Sequence, residues 1–337
     1  MTRAVRRPDF EFGGQTIRPG RAEVVELPIP RLVTGADVSL PVRVLHGRAE
    51  GPTIWISAAI HGDEIAGVEI IRRVVSRIDP RQLGGTVLAV PIVNVYGFLN
   101  DDRYLPDRRD LNRSFPGSAT GSLARRVANE FMTSIVSRCD VGIDLHTGSD
   151  HRSNLPQIRA DLDDPFTCRL AMAFGAPVAL DARLRDGSLR AASSAHGINV
   201  LLYEGGEAMR FDRQAIAIGV NGILRVFAQL EMVAEAPPAD APPVLCRSSS
   251  WVRTRRSGIA LVEVELGERV QRGDQLAVVH DSLGRRLSRA RAPFDGIVIG
   301  RTEHPLVHQG DAIVHLARTE TIDDAEETID DAEEITA

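Results

Sequence analysis

Three apolar runs in this chain stop at residues that carry chemistry, and this pattern constrains the fold more than any other feature. Residues 53–60 are apolar and give way at once to His61-Gly62-Asp63-Glu64, where a helical pattern begins. Residues 141–145 stop at His146, and residues 198–203 stop at Glu204. Runs that are apolar on both faces are expected of central strands covered on both sides. Reactive side chains just past the carboxyl ends of such strands are where open α/β sheets place their sites.

The rest of the first two thirds agrees with that reading. Residues 21–28 and 38–45 alternate apolar with polar side chains, which predicts half-exposed strands near a sheet edge. After Glu64, Val68, Ile71, Val75 and Ile78 recur at helical spacing, with arginines on the other face. Leu83-Gly84-Gly85 closes that helix, and residues 86–93 read as a second buried strand. Residues 94–121 form a long polar segment without periodicity, and loops of this length inside compact domains are usually functional. A helix marked by Leu123, Val127, Phe131 and Ile135 follows, then helix 164–174 and a short strand at 177–180. A long amphipathic helix through Ile216, Val220, Ile223, Phe227 and Leu230 closes the series. Strands alternating with helices predict an α/β sandwich with a mixed, mostly parallel sheet over residues 1–233.

Residues 234–246 are a Pro/Ala-rich linker, stiff and extended. Beyond it, short strands split by Gly-containing turns predict a small all-β domain over residues 247–318. The end, residues 319–337, contains a direct repeat, Thr321-Ile322-Asp323-Asp324-Ala325-Glu326-Glu327 recurring from Thr328, and reads as an acidic disordered tail.

Composition narrows the function classes. With 337 residues the chain is long enough for two domains and needs no disulfide to hold its core. The nine acidic residues from Glu320 onward set the sign of the charge: without them the net −6 becomes +3. No arginine block with interleaved aromatics occurs, so a nucleic-acid partner is not indicated. No run approaches the length of a membrane span, the N-terminus has no apolar stretch behind its arginines, and the three cysteines are scattered. These features predict a cytoplasmic protein with free thiols. All forty basic residues are arginine, which excludes lysine catalysis and lysine-attached cofactors.

The strand-end residues suit a metal. A catalytic zinc takes three protein ligands and keeps a fourth position for water, and His61, Glu64 and His146 supply two imidazoles and a carboxylate. Zinc lowers the pKa of its water to near 7, and a carboxylate outside the ligand set then moves the water proton. Glu204 is the candidate for that role. Asp144, two residues before His146, either orients a ligand imidazole or is simply the polar residue that ends its strand. The loop supplies Arg103, Arg108, Arg109 and Arg113, whose planar forks pair with carboxylates and polarise carbonyls. Arg108 and Arg109 read as solvated loop charges.

His61-Gly62-Asp63-Glu64, Asp110-Leu111-Asn112-Arg113, Asp144-Leu145-His146 and Glu204-Gly205-Gly206, in this order, resemble the succinylglutamate desuccinylase/aspartoacylase family. That family is a branch of the zinc carboxypeptidase-like fold, and the resemblance covers roughly residues 20–318. It implies one zinc per chain on His61, Glu64 and His146, with Glu204 as general base and acid. It further implies that Arg103 assists the carbonyl oxygen and that Asn112 and Arg113 hold a substrate carboxylate. The β region resembles biotinyl/lipoyl-type modules around Gln271-Arg272-Gly273-Asp274 and Ala292-Pro293-Phe294-Asp295-Gly296. Without lysine it carries neither group, and a structural or gating role is expected. The implied activity is removal of a small acyl group from an N-acyl amino acid. The chain looks closest to the bacterial branch that includes the N-acetyl-diaminobutyrate deacetylases of ectoine breakdown. The implied partner is a small-molecule substrate, and a homo-oligomer is compatible with the sequence. The rival readings are a zinc metallocarboxypeptidase acting on peptides and a non-catalytic binding module that kept the fold.

Overall fold

A computed structural model describes residues 7–319. The acidic repeat lies outside the described residues. The main elements of the first two thirds are strands β1 (Arg21–Ile29), β2 (Val38–His46) and β3 (Ala49–Ala58), helix α1 (Ala66–Arg77), strand β4 (Gly84–Val90) and helix α2 (Leu123–Ser134). They continue with strands β5 (Val141–Gly148) and β6 (Arg152–Ala160), helix α3 (Pro165–Phe174) and strand β7 (Val178–Asp181). Helix α4 (Leu189–Ser194), strand β8 (Asn199–Glu207) and helix α5 (Arg213–Gln229) complete this part. The C-terminal third adds β9 (Val244–Cys246), β10 (Ser249–Arg253), β11 (Gly296–Thr302) and β12 (Ala312–Arg318) to the same sheet. It also forms a separate sheet around Gly258–Val262, Gln275–His280 and Arg286–Arg291.

The large sheet runs β10-β12-β11-β6-β8-β5-β3-β4-β2-β1, with β7 and β9 branching from β6. The four central strands β8, β5, β3 and β4 are parallel to one another. Outside them β2, β1, β6, β11, β12 and β10 pair antiparallel. The expected mostly parallel sheet is therefore parallel at its centre and mixed as a whole. The physical reason is connection length: residues 30–37 between β1 and β2 are too few for a parallel crossover, and residues 149–151 turn the chain back after β5, so that β6 runs antiparallel to β8.

Alternation along the strands builds two cores. In β3, Ile54, Ile56 and Ala58 join the cluster under α1 and α5, with Ile70, Val74, Ile216, Val220 and Phe227. Trp55 points the other way into a second cluster with Val127 and Phe131 of α2, its ring meeting Phe131 edge-on at 6.5 Å. Helices on both faces give an α/β/α arrangement. Several helix starts are capped by side chains: Asp164 accepts from the Thr167 N–H at 2.7 Å. Asp212 accepts from Gln214 and Ala215 at 2.8 Å each.

The C-terminal third is not attached by a linker alone. At the end of the Pro/Ala segment β9 pairs parallel with β7. Strand β6 bonds to β8 on one edge and to β11 on the other. One sheet thus runs from the first part of the chain into the last. No helix among the described residues is long and apolar enough to cross a membrane.

The core is tight around Trp55. A Cβ at Gly142 would lie 2.0 Å from the Trp55 ring, which is fully buried. Gly142→Ala is expected to cost about 2 kcal/mol through overpacking, read as a lowered urea midpoint at unchanged slope.

Candidate metal centre and its cavity

Strand register places the key side chains. Ser57 of β3 lies opposite Asp144 of β5, and Asp144 opposite Leu202 of β8. One pleat further on, His146 lies opposite Glu204. Residues two apart on a strand share a face, so Asp144, His146, Leu202 and Glu204 all point away from the α1/α5 core. Strand β3 ends one residue before this row. There Ala59 takes φ 49°, a left-handed conformation that an alanine adopts only under constraint. Its carbonyl accepts from the Asn94 N–H at 2.8 Å. The chain then turns, and Gly62 packs so closely that a Cβ would sit 2.0 Å from the Gly97 carbonyl carbon. Only glycine fits there, and the contact fixes His61 and Glu64 on either side of it.

Glu64 is the hub. Its two carboxylate oxygens lie 2.8 Å from His61 Nδ1 and 2.7 Å from His146 Nδ1. The Thr147 N–H donates to it at 3.2 Å, and an Arg103 Nη approaches at 3.3 Å. Each imidazole is held from behind by its other nitrogen. His146 Nε2 lies 2.9 Å from Asp144, whose second oxygen accepts from the Ser57 hydroxyl at 2.8 Å. His61 Nε2 lies 3.2 Å from Asp110. Asp110 also accepts from the Asn112 N–H at 2.8 Å and from Arg103 at 3.0 Å, so one carboxylate ties the long loop to the site. An Nε2–H bonded to a carboxylate leaves Nδ1 as the ligating nitrogen, and both Nδ1 atoms face Glu64.

The charges reinforce one another. Burial disfavours a protonated His61, but the Glu64 and Asp110 carboxylates outweigh it and raise its pKa. At His146 burial is likewise overcome by Asp144 and Glu64, and the pKa lies well above the ordinary value. Burial would raise the Glu64 carboxyl, yet the two imidazoles hold it far below the usual carboxylate range. Asp63 behaves differently: burial and then the Glu64 charge push its pKa up. Its Oδ1 is buried without a hydrogen-bond partner among the described residues.

These groups sit at the wall of a cavity of about 840 Å³. All seven residues to which the resemblance assigns a role, His61, Glu64, Arg103, Asn112, Arg113, His146 and Glu204, line it. Glu204 accepts from the Asn154 side chain at 2.8 Å. A register shift in β6 brings Asn154 onto the Glu204 face. Asn112 uses its Oδ1 to accept from the Leu189 N–H at 2.9 Å, at the start of α4. Glu207 does not line the cavity and pairs with Arg210 at 3.1 Å. Nine arginines line the cavity against three carboxylates, Glu64, Asp181 and Glu204. The C-terminal third contributes Trp251, Arg253 and His315 to the wall.

Sequence reasoning missed Asp110 as a partner of His61, although it belongs to a quoted motif. It also missed Asn154 and the arginines Arg159, Arg185 and Arg190, which lie in segments whose course the sequence does not reveal. The signal for Asp110 was its place as cap of the single turn Leu111–Arg113. For Arg159, alternation in β6 is hidden by polar residues that face the cavity.

Comparison with known proteins decides the family. The family model of the succinylglutamate desuccinylase/aspartoacylase catalytic domain matches residues 50–230. This protein belongs to that family. The N-alpha-acetyl-L-2,4-diaminobutyric acid deacetylase of Halomonas elongata is 30% identical over 303 residues, 83% of this chain and 86% of its own. A succinylglutamate desuccinylase/aspartoacylase structure from Rhodobacter sphaeroides superposes with TM-score 0.79 at 27% identity, covering 89% and 95% of the two chains. The product-bound ectoine utilization protein of Ruegeria pomeroyi shares the fold with TM-score 0.81 at 24% identity, covering 95% and 100%.

The donor set fits a zinc ion. One ligand atom each from His61, Glu64 and His146 lies within 4.8 Å of the others, all three residues being buried. Two nitrogens and one oxygen suit zinc better than calcium or magnesium, which prefer oxygen shells. Replacing the partners behind the imidazoles tests this arrangement. Asp110→Asn and Asp144→Asn are each expected to weaken zinc binding about 10- to 100-fold in competition with a chromogenic chelator, without loss of fold.

Proposed function

We propose that this family member is a zinc-dependent amidohydrolase that removes a small acyl group from an N-acyl amino acid. The observation that carries the reading is the convergence of the His61, Glu64 and His146 donors beside Glu204, one strand away in the same register row. Zinc held by those three residues supplies Lewis acidity toward the amide carbonyl and lowers the pKa of water near it. Glu204, oriented by Asn154, takes the proton of the attacking water and delivers it to the departing amine nitrogen. Arg103, fixed between Glu64 and Asp110, presents a donor to the carbonyl oxygen as negative charge builds there. Asn112 keeps its Nδ2 donor for the substrate, and with Arg113 it holds the amino-acid carboxylate.

A deacetylase relative supports a short acyl group. The cavity wall formed by Trp251, Arg253 and His315 favours a small molecule over a peptide chain and gives the C-terminal third a gating role. An N-acetyl-diaminobutyrate-like substrate belongs to this class. Glu207, three residues after Glu204, pairs with Arg210 outside the cavity and offers no carboxylate to a second amine of such a substrate.

Removing zinc with a chelator is expected to abolish turnover of N-acyl amino acids, with zinc restoring it. Glu204→Gln is expected to keep its zinc and lower kcat about 10²- to 10⁴-fold. A Glu204→Gln enzyme with native turnover would sink the proposed proton path.

A further inference from the structure

A second pair of histidines stands outside the cavity lining, where the first part of the chain meets the C-terminal third. The β6–β11 ladder ends with Arg152 opposite Thr302. Just past it the His151 carbonyl accepts from the Glu303 N–H at 2.7 Å. The His151 and His304 rings lie with their centroids 5.3 Å apart. At the metal centre the rings of His61 and His146 are 5.0 Å apart. Two imidazoles bound to one tetrahedral ion through nitrogens at about 2.0–2.1 Å have centroids about 5 Å apart, so both pairs are spaced for a shared ion.

Ring stacking alone also gives such a spacing, and three further features set this pair apart from a ring contact. The first is the tautomer of His304. Its Nδ1 lies 2.9 Å from the Leu306 carbonyl oxygen, which can only accept. Nδ1 therefore carries the hydrogen and Nε2 keeps its lone pair, the arrangement found behind metal-ligating imidazoles. The second is that both histidines sit on fixed backbone. The His304 N–H donates to the Thr302 hydroxyl at 3.2 Å. On the other side the Arg152 N–H closes a turn onto the Ser149 carbonyl at 3.2 Å, and Asp150 and His151 take φ 53° and 57°. The third is that the His151 ring nitrogens make no hydrogen bond among the described residues, and both side chains are exposed. Asp150 and Glu303, which precede the two histidines, offset the neighbouring Arg152 and Arg301 at 3.7 and 2.9 Å. Among the described residues no third His, Cys, Asp or Glu converges on the pair, so water completes the shell of an ion held there.

We infer that His151 and His304 form a second, exposed site for a divalent transition cation of the kind that favours imidazole, such as zinc. An ion bound there clamps the turn after β5 to the C-terminal third. That turn also carries Ser149, which lines the cavity and accepts from Arg103 at 3.2 Å. The clamp thus fixes part of the cavity wall without touching the ligands of the buried centre. With two protein ligands in place of three, it binds more weakly than that centre. The inference is independent of the substrate.

Zinc binding to the untagged, full-length protein tests it. Protein already carrying one equivalent is titrated with a second in competition with a chromogenic chelator, and its thermal midpoint is followed in parallel. A second, weaker equivalent should bind and raise the midpoint, because an ion bound to the folded state alone stabilises that state. His151→Asn suits the left-handed backbone, and His304→Phe keeps a ring but no nitrogen. Replacing even a partner behind a ligand costs about 10- to 100-fold in affinity, so each variant should weaken the second equivalent about tenfold or more. Each should also lose the midpoint shift.

The first equivalent should stay as tight as in the native protein, which shows at the same time that both variants fold. A native protein that takes up only one equivalent overturns the site. So does a second equivalent held equally well by both variants, since that assigns it to the acidic repeat or to another surface group.

Discussion

Holding one buried carboxylate between two imidazoles is the constraint on which the rest of the structure depends. Glu64 is 2% exposed, and a lone carboxylate so buried would cost several kcal/mol. Here His61, His146, Arg103 and a backbone N–H compensate it, and Asp110 and Asp144 compensate the imidazoles in turn. The members come from the turn after β3, from β5 and from the long loop. The network closes only when the β3–β5 register is correct and the loop is docked. Register and chemistry are thus one problem in this fold: Ser57 meets Asp144 because their strands pair in step, and a slip of one residue would turn both away from the site.

The second organising element is β6. It bonds to β8 and so to the strand that carries Glu204, and on its other edge to β11 of the C-terminal third. It also presents Asn154 and Arg159 to the cavity. The wall from the C-terminal third is therefore positioned by the same sheet as the metal centre, which makes the cavity a property of the whole chain.

Much of this was legible in the sequence because central strands are covered on both faces. Their apolar runs stand out, and the polar residue that ends each run stands out with them: His61 with Glu64, His146 and Glu204. The longer helices were legible from the spacing of their apolar residues. Strand β6 was not. Its apolar alternation is interrupted by Asn154, Pro156 and Arg159, because one face looks into a polar cavity and a register shift breaks the period. Arg103 and Asp110 were visible as residues of a loop, but their mutual contact and the contact with Glu64 depend on how that loop closes, which no periodicity reports. The parallel pairing expected of residues 1–233 holds among β8, β5, β3 and β4, while the antiparallel flanks arise from short connections and not from strand composition. The acidic repeat, read as a disordered tail, lies outside the described residues.

The central claim is that His61, Glu64 and His146 form one metal centre, and X-ray absorption at the zinc edge tests it most directly. The zinc-loaded protein should show only nitrogen and oxygen neighbours at about 2.0–2.2 Å, with the outer-shell scattering of two imidazoles. Loss of one imidazole signature in His146→Ala would place that ligand. Sulfur neighbours at about 2.3 Å, or a shell unchanged by His146→Ala, would contradict the account.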